Sequence, residues 1–459
     1  AGVVPGDRVA FYGDTSIEWC AAAFGAIRCG AIVAPINARM ITAEVDYLLG
    51  RYEPRLVFAD AQGAARLRAW QLIDGAGQPP LLAGETIAAL RNRTVAPFVR
   101  DIEPDAPVGI ITTSGSTARP KGVVYTHRAM IDYAYEEIAD IHADLAGEPV
   151  RLFTAAPLST AGGFNLMVHS IVMGMSVLML DAFDPAAALA LIAEERINVF
   201  RAAPVFFQRM ADLPAFADAD LSSLRVTTIG GAPPPVKLLA AWRDKGVLLR
   251  QLYGQTEGGG ALTVNPARFA LSDPDRCGYG APFTELAIVD EQGARVPPDT
   301  PGEIVARKAG MMVGYWRDPA ATAAALVDGW LHTGDIGTID DRGLLKMLDR
   351  MKDIIKSGGL NISSAELERV ILEVPGVAEV AIIAVPDEQF GETPFAIVHG
   401  TGCTPDAILT HCRAQLSSYK LPRYVAIAPD PLPRLAMGKV SKPALRREWA
   451  DRPLPPRLR

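Results

Sequence analysis

Short apolar strands alternate with helical stretches over the first 245 residues, and this alternation restricts the fold to parallel sheets covered by helices. The first set of strands is predicted at residues 8–12, 31–35 and 56–59, with helices at 17–28 and 42–50. The second set is predicted at 151–154, 176–180, 199–201 and 225–229, with helices at 185–195 and 235–245. Two related, helix-covered sheets are therefore expected.

The pattern changes in the last third of the chain. Between residues 278 and 347 the strands and turns are closely spaced, which predicts a small β-barrel-like region. Farther on, helices are predicted at 364–373 and 405–416, and strands at 380–385 and 395–399. The predicted fold class is α/β, with a large N-terminal domain over 1–350 and a small α+β C-terminal domain over 351–459.

Composition excludes several classes of function. The 459 residues carry a net charge of -7, so they offer no polycationic surface for nucleic acid. The longest apolar stretch, residues 166–180, is shorter than the ~20 residues that span a bilayer, so we predict protein core and no membrane span. Five cysteines, scattered without CxxC spacing, argue against disulfide frameworks and zinc sites, and favour the cytoplasm.

One run is rich in small and hydroxylated residues. It extends from Thr113 to Gly122 between two β-branched segments, so it is predicted to join two strands. Backbone amides, hydroxyls and an ammonium in such a turn can bind phosphate oxygens. The candidates are Thr113, Ser114, Gly115, Ser116, Thr117 and Lys121. A P-loop is excluded because Pro120 precedes the lysine and Gly122 follows it. This run taken alone is also compatible with an ordinary surface loop made of turn-forming residues.

Four further runs follow in order, at residues 253–257 (YGQTE), 329–335 (GWLHTGD), 349–362 (DRMKDIIKSGGLNI) and 432–439 (LPRLAMGK). Together the five runs resemble the adenylate-forming superfamily, which includes acyl-CoA synthetases, luciferases and peptide-synthetase adenylation domains. The resemblance implies ATP, Mg²⁺ and coenzyme A as cofactors, with a small carboxylic acid as the other substrate. Relatives usually carry several dozen residues before the segment that resembles 6–10, so the chain is expected to be trimmed at its start.

The resemblance implies roles at the reacting phosphate. Lys439, on a mobile C-terminal domain, would bridge the substrate carboxylate and the α-phosphate, because two anions must meet there and a cation lowers their repulsion. Glu257 matches the magnesium ligand, and Thr256 would donate to the α-phosphate. The nucleotide and acyl group are expected beside Gly231, Ala232, Pro233, Tyr253, Gly254 and Gln255.

Other matches concern the ribose, the domain motion and the thiol. Asp335 would accept bonds from both ribose hydroxyls, and Arg350 would donate at the same sugar. Lys352 matches the hinge about which the C-terminal domain rotates. After that rotation the pantetheine thiol would meet Lys356, Ser357, Gly358 and Gly359, with Lys356 acting in catalysis. The acyl pocket is assigned to Phe164, Gly258 and Gly259.

Two positions depart from the family pattern. Ala118 stands where most relatives have glycine, and the segment 157–160, which ends at Thr160, stands where many have an aromatic residue and histidine, so the gate above the acyl pocket is expected to differ. Residues 160–166 contain no acidic side chain that could hold an α-ammonium, which favours a carboxylic acid without that amine. The sequence does not decide between an alkyl and an aryl acid as substrate, and it is compatible with a homodimer.

Three functions stay open. The favoured one is an acyl-CoA synthetase, which makes acyl-AMP with release of pyrophosphate and then a thioester with coenzyme A. The second is an adenylating enzyme that loads a separate acyl carrier protein, and the third is a catalytically silent nucleotide-binding scaffold. The joint presence of Lys121, Glu257, Asp335, Arg350 and Lys439 argues against the scaffold.

Overall fold

The structure, a computed structural model, describes residues 2–91, 93–94, 98, 100–113, 120–145, 147–434 and 440–458, except for the side chains of residues 140, 142 and 143. The chain divides into two compact units. The first contains Ala1–Leu286 and Val305–Thr333, and the second contains Ala287–Ile304 and Gly334–Arg459. The sequence predicts a domain boundary after residue 350, where a mobile C-terminal domain would begin. A division into compact units does not test which part of the chain moves, so this boundary stays a prediction.

The first unit opens with a seven-stranded sheet. Its strands are β1 (Arg8–Tyr12), β2 (Ile32–Ile36), β3 (Leu56–Ala59), β4 (Leu81–Ala83), β5 (Pro107–Thr113), β6 (Lys121–Thr126) and β16 (Gly314–Tyr315), in the order β16-β6-β5-β2-β1-β3-β4. Helices α1 (Ile17–Arg28), α2 (Thr42–Tyr52), α3 (Ala61–Ala69) and α4 (Gly84–Ala88) follow the first four strands. Strands β2 and β3 are buried at every residue, as expected of parallel strands that are covered on both faces.

A second seven-stranded sheet completes the predicted pair. Its strands are β7 (Arg151–Thr154), β8 (Ser176–Leu178), β9 (Val199–Ala202), β10 (Val226–Gly230), β11 (Leu249–Gln255), β12 (Gly260–Val264) and β13 (Tyr279–Gly280), in the order β13-β12-β11-β10-β9-β7-β8. Its helices are α5 (His127–Leu145), α6 (Ala161–Met173), α7 (Pro185–Glu194), α8 (Pro204–Ala211) and α9 (Val236–Asp244). The mixed α/β fold class is confirmed.

Helix α6 packs against both sheets. Phe164 shares one apolar cluster with Val33 of β2 and Ile111 of β5. Leu166, two residues farther along α6, shares another cluster with Val199 of β9. The first unit is therefore layered, with apolar side chains of α6 filling the space between two sheets.

A third sheet lies in the predicted β region. Its strands are β14 (Glu285–Val289), β15 (Gly302–Arg307), β17 (Leu326–Val327), β18 (Trp330–Ile339) and β19 (Leu345–Arg350), in the order β14-β15-β18-β17 with β19 beside β18. A short helix that the sequence did not predict, α10 (Pro319–Ala325), precedes β17. Asp318 caps it by accepting the Ala321 N–H, and Pro319 fits its first turn.

A fourth sheet carries the C-terminal helices. Its strands are β20 (Ile355–Ser357), β21 (Leu360–Ile362), β22 (Val377–Asp387), β23 (Gly391–Gly400) and β24 (Tyr424–Ala428), in the order β21-β20-β23-β22 with β24 beside β23. The helices are α11 (Ser364–Ile371), α12 (Pro405–Gln415) and α13 (Lys442–Trp449). Across the described part of the chain, no helix combines the length and apolar character required to cross a membrane.

Candidate active site

Strands β5 and β6 form the two sides of the predicted phosphate loop. They pair antiparallel, and Thr113 at the end of β5 lies directly opposite Lys121 at the start of β6. The Thr113 hydroxyl is buried and has no hydrogen-bond partner among the described residues. The predicted phosphate ligands Ser114, Gly115, Ser116 and Thr117 lie outside the described residues, as does Ala118. A buried hydroxyl and an ammonium therefore flank the base of the loop.

Tyr315 connects Lys121 to the predicted magnesium ligand. It lies in β16, which pairs with β6, and its ring centroid is 4.9 Å from Lys121 Nζ. Its hydroxyl donates to Glu257 Oε1 over 2.9 Å. Burial, followed by the nearby Glu257 carboxylate, raises the pKa of Tyr315, so the hydroxyl stays protonated and remains a donor. A pocket of about 200 Å³ is lined by both Lys121 and Tyr315.

The backbone around Glu257 is held by side-chain and main-chain bonds. The 3-10 turn Thr256–Gly258 follows β11, and its Thr256 carbonyl accepts from the Tyr125 hydroxyl. Burial, and then Glu257, raises the pKa of Tyr125, so this hydroxyl also remains a donor. The Glu257 carbonyl accepts the Met312 N–H over 3.0 Å. The turn therefore carries its carboxylate on a fixed backbone.

The predicted adenine-binding residues meet at one edge of the second sheet. Gly231, Ala232 and Pro233 directly follow β10, and Tyr253, Gly254 and Gln255 end β11. These two strands are parallel neighbours, with Gly230 opposite Leu252. Since the carboxyl ends of parallel strands share an edge, where α/β sheets commonly bind ligands, both segments lie at the same edge of the sheet.

The predicted acyl-pocket residues differ in position, since Phe164 lies in the core whereas Gly258 and Gly259 lie next to Glu257 in the chain. Phe164 is fully buried and packs against Gly109, where an added Cβ would lie 2.8 Å from the phenylalanine ring. Gly258 ends the 3-10 turn, and the Gly259 carbonyl accepts from Asn165 Nδ2 over 2.5 Å. The two glycines thus border Glu257 directly, whereas Phe164 belongs to the core. The acyl-pocket role of all three stays a prediction.

The predicted ribose ligands come together in the second unit. Asp335 and Arg350 are opposite one another in the β18–β19 pairing, and Arg350 Nε lies 3.5 Å from Asp335 Oδ1. The Asp335 side chain is 7% exposed and that of Arg350 is 43% exposed. A nearly buried carboxylate beside a cation is suited to accept hydroxyl donors, while the more exposed guanidinium can still reach a ligand.

The predicted hinge lies in a short turn. Lys352 belongs to the 3-10 turn Met351–Asp353, which directly follows β19 and precedes β20. Partial burial of the side chain, and then Arg350, lowers the pKa of Lys352. Its neighbour Asp353 accepts from Arg446 Nη2 over 2.7 Å. A turn between two sheets can absorb a backbone rotation, as a hinge requires, although the hinge role itself stays a prediction.

The residues assigned to the thiol form one hairpin. Ser357 pairs with Leu360 across β20 and β21, and Lys356 pairs with Asn361. The two connecting residues, Gly358 and Gly359, have φ values of 58° and 79°. A two-residue hairpin loop of type I′ has this left-handed conformation at both positions, which explains the glycine pair. The Lys356 side chain is exposed and Ser357 is buried.

Glu257 fits a magnesium ion that arrives with the nucleotide. Among the residues that the structure describes, no group of three or more His, Cys, Asp or Glu is placed to hold a metal ion. Mg²⁺ is commonly bound through one or two carboxylates, with phosphates and water completing its octahedron. A single oriented carboxylate beside the predicted phosphate loop meets that requirement.

Lys439, the predicted catalytic cation, lies outside the described residues, which resume at Val440. Two residues that sequence reasoning missed, Tyr315 and Lys308, bond to carboxylates far away in the sequence. The Tyr315–Glu257 bond spans 58 positions, and the Lys308–Glu136 bond spans 172. No motif contains either residue, so spacing along the chain gave no signal for them.

Comparison with known proteins agrees with this geometry. Two family models match the chain, the AMP-binding enzyme over residues 1–316 and the AMP-binding enzyme C-terminal domain over residues 366–439. The chain is 35% identical to a feruloyl-CoA synthase of Amycolatopsis sp, with 98% of the chain and 90% of the relative covered. It is 34% identical to the long-chain-fatty-acid–CoA ligase FadD13 of Mycobacterium tuberculosis, with 98% and 89% covered.

A solved structure of ATP-bound MatB from Rhodopseudomonas palustris matches with a TM-score of 0.88 and 29% identity, covering 98% of this chain and 90% of that one. The sequence resemblance is thereby confirmed at the level of the fold and of the whole chain. With five ordered motifs, two helix-covered sheets and both family models matched, this chain belongs to the AMP-binding enzyme family of adenylate-forming enzymes.

Proposed function

We propose that this family member is an ATP-dependent acyl-CoA synthetase that activates an alkyl or aryl carboxylic acid and transfers the acyl group to coenzyme A. The observation that carries the proposal is the contact chain from Lys121 through Tyr315 to Glu257. It brings an ammonium suited to phosphate oxygens close to a carboxylate suited to magnesium. Relatives named as feruloyl-CoA and long-chain fatty acid CoA ligases support the reaction type.

The first half-reaction joins two anions. A carboxylate oxygen of the substrate attacks the α-phosphorus of ATP, the bond to the β-phosphate oxygen breaks, and pyrophosphate leaves. We assign Lys439 to the carboxylate and the α-phosphate, because a preorganised cation there stabilises charge that develops in the transition state. Thr256, at the start of the 3-10 turn, would donate to the same phosphate. The turn's fixed backbone supports that role.

Glu257 would hold Mg²⁺, which when bound would neutralise charge on the triphosphate. Tyr315 orients the Glu257 carboxylate and, because its raised pKa keeps it protonated, adds no negative charge of its own. Thr113 and Lys121, with residues 114–117 between them, would hold the triphosphate oxygens. A dry, oriented set of donors is what this reaction requires of the protein.

The nucleoside is assigned to two separate sets of residues. Adenine would lie along 231–233 and 253–255, at the shared edge of β10 and β11. The ribose hydroxyls would donate to Asp335, and Arg350 would donate to the sugar. The buried position of Asp335 supports this assignment, because a carboxylate with little water around it binds hydroxyl donors more strongly.

In the second half-reaction the thiol of coenzyme A attacks the acyl carbonyl and releases its proton to solvent, the bond to AMP breaks, and AMP leaves with the electron pair. We assign the β20–β21 hairpin, with Lys356, Ser357, Gly358 and Gly359, to the channel through which the pantetheine arm of coenzyme A would reach the acyl group. Rotation at Lys352 would exchange Lys439 for this hairpin. The exposed Lys356 and the tight glycine turn support the assignment, because a narrow channel leaves little room for side chains.

We also predict a cytoplasmic location, since all five cysteines are free and suit a reducing compartment, and we keep a homodimer as a prediction. Cell fractionation tests the first, and light scattering on the purified chain tests the second.

The reaction is tested by incubating the protein with ATP, Mg²⁺ and coenzyme A together with a panel of alkyl and aryl acids. AMP release that depends on the acid, and a thioester that depends on coenzyme A, are expected. A holo carrier protein supplied in place of coenzyme A tests the other acceptor. If the protein binds nucleotide but none of the acids causes AMP release, the proposed synthetase activity is contradicted and the catalytically silent scaffold is favoured.

A further inference from the structure

A cluster of buried polar side chains lies beside the Glu257 turn and has no part in the reaction described above. It consists of Tyr133, Glu136 and Glu137 of α5, His169 of α6 and Lys308 after β15, and we call it the α5 cluster. Each of the five residues is at most 7% exposed. Ionisable groups at such depth must be paired, because the loss of water is otherwise very costly.

The pairing of the α5 cluster is close and balanced. Lys308 Nζ lies 3.0 Å from Glu136 Oε2 and 4.0 Å from the centroid of the Tyr133 ring. Glu137 bonds to His169 Nδ1 over 2.7 Å and also to Arg201. Two carboxylates thus meet two basic side chains, Lys308 and Arg201. Such buried pairs seldom make a protein more stable than apolar packing would. The groups to which they form hydrogen bonds are therefore the best indication of their role.

The α5 cluster holds both backbone groups of one residue. The Ala261 N–H donates to the Tyr133 hydroxyl over 2.9 Å, and the Ala261 carbonyl accepts from Lys308 Nζ over 2.8 Å. The Tyr133 hydroxyl in turn donates to Glu137 Oε1 over 3.1 Å, which strengthens its oxygen as an acceptor. Each bond to Ala261 is therefore backed by a carboxylate.

Ala261 follows the segment assigned to the acyl pocket. Gly258 and Gly259 lie directly before β12, and the Gly259 carbonyl is held by Asn165 from α6. A Cβ added at Gly260 would lie 2.7 Å from the Tyr133 hydroxyl, so the α5 cluster and this backbone are in van der Waals contact. A small shift of Tyr133 or Lys308 would move the wall that faces the acid.

We propose that Tyr133, backed by Glu137, and Lys308, backed by Glu136, are positioning residues that fix the backbone of residues 259–261 and so determine which carboxylic acid the enzyme accepts. The proposal rests on the proposed function, because it requires those residues to border the acyl group. Neither side chain takes part in bond making. Both act through the shape of the pocket wall.

Removing one hydroxyl tests the first arm. Tyr133→Phe leaves the Ala261 N–H without its acceptor, so the backbone of residues 259–261 loses one of the bonds that fix it. We expect the KM for the acid to rise about tenfold and the KM for ATP to change less than about twofold. Tyr135→Phe is the matched control, since Tyr135 lies on the same helix and is 57% exposed.

A Tyr133→Phe variant that matches Tyr135→Phe in its acid KM would overturn the proposal, and so would an equal rise in both KM values. The outcome is separate from that of the proposed function. A wild-type enzyme that is silent with every acid contradicts the proposed function, whereas an active wild type with an unchanged Tyr133→Phe variant contradicts only the positioning role.

Charge balance tests the second arm. Lys308→Met leaves Glu136 buried without its cation. We therefore expect the melting temperature to fall and the KM for the acid to rise. In Lys308→Met/Glu136→Gln no net charge is buried, and the new amide oxygen can still accept from the Thr284 hydroxyl, which lies 2.6 Å from Glu136 Oε1. We expect this double variant to regain its melting temperature and to keep the raised acid KM, because the Ala261 carbonyl still lacks a donor. Recovery of both together would mean a merely structural role and overturn the proposal.

Discussion

At the scale of single residues, the bond between Tyr315 and Glu257 makes the magnesium assignment testable. Glu257→Gln keeps the shape of the side chain but removes the charge that Mg²⁺ requires. We expect acid-dependent pyrophosphate exchange into ATP to fall by about 10²- to 10³-fold, since one preorganised electrostatic group is worth that much. The residual rate, measured against magnesium concentration, should saturate at higher magnesium than the wild type.

Tyr315→Phe is the control for that loss, because it removes the 2.9 Å bond but leaves the carboxylate in place. A net hydrogen bond to a charged group is worth about 1.5–3 kcal/mol, so the rate should fall by roughly 10- to 100-fold at most. Equal activity of the two variants at saturating magnesium would refute Glu257 as the metal ligand.

Glu137 predicts how stability depends on pH. Burial alone would raise its pKa, but Arg201 and then His169 outweigh burial, so the pKa of Glu137 lies below the ordinary value of 4.5. Below about pH 4.5 the unfolded chain binds a proton that the folded chain does not, so the free energy of unfolding decreases as the pH falls.

Glu137→Gln should remove that contribution. Between pH 4.5 and 3, we expect the urea unfolding free energy of the wild type to fall more steeply than that of the variant, by up to about 1.4 kcal/mol per pH unit. The variant should also be less stable at pH 7, because Arg201 then lies opposite a neutral amide. Parallel pH profiles for the two proteins would contradict the lowered pKa.

At the scale of helices and strands, local patterns predicted most of the positions. Strand β1 and helix α1 have the predicted bounds, and α2 begins at Thr42 as expected. Helix α6 was missed, because its apolar residues face two sheets and therefore show no one-sided helical periodicity. The apolar stretch at 166–180 predicts only protein core, although Gly174 in the left-handed conformation marks the end of the helix.

The junction between the 3-10 turn at 256–258 and β12 yields a prediction about backbone space. Gly259 has φ of 82°, and a Cβ there would lie 2.1 Å from the Gly310 carbonyl oxygen. Gly259→Ala therefore combines left-handed strain of about 1 kcal/mol with a backbone shift of about 1–3 kcal/mol. We expect the free energy of unfolding to fall by about 3 kcal/mol and the acid KM to rise.

Gly246→Ala is the matched control, because Gly246 has φ of 78° in the same unit and an added Cβ there meets nothing within 4 Å. Only the strain should remain, so urea unfolding should show a loss of about 1 kcal/mol with an unchanged acid KM. If both variants lose the same stability, the close approach of Gly259 to Gly310 does not constrain the fold.

At the scale of the whole molecule, the sequence assigns candidate residues to each substrate, and these assignments stay predictions, but it does not show how distant segments return to them. Strand β16 joins the first sheet beside β6, and this return brings Tyr315 to Glu257. Lys308 reaches Glu136 across 172 positions in the same part of the chain. Motif spacing is local, whereas such contacts depend on which strands pair, and pairing is decided by the packing of complete sheets.

The roles proposed for Lys439 and for the β20–β21 hairpin lead to the last prediction. If Lys439 serves only the first half-reaction, Lys439→Ala should lower acid-dependent pyrophosphate exchange by at least about 10²-fold, because two anions then meet without a cation. Thioester formation from prepared acyl-AMP and coenzyme A should stay near the wild-type rate. Lys356→Ala, on the β20–β21 hairpin, should show the reverse pattern, with normal exchange and slow thioester formation. Each half-reaction is measured separately with the same two variants, so a common loss can be told from a selective one. Equal damage to both halves by Lys439→Ala would exclude a mechanism in which the C-terminal unit presents different residues to successive steps.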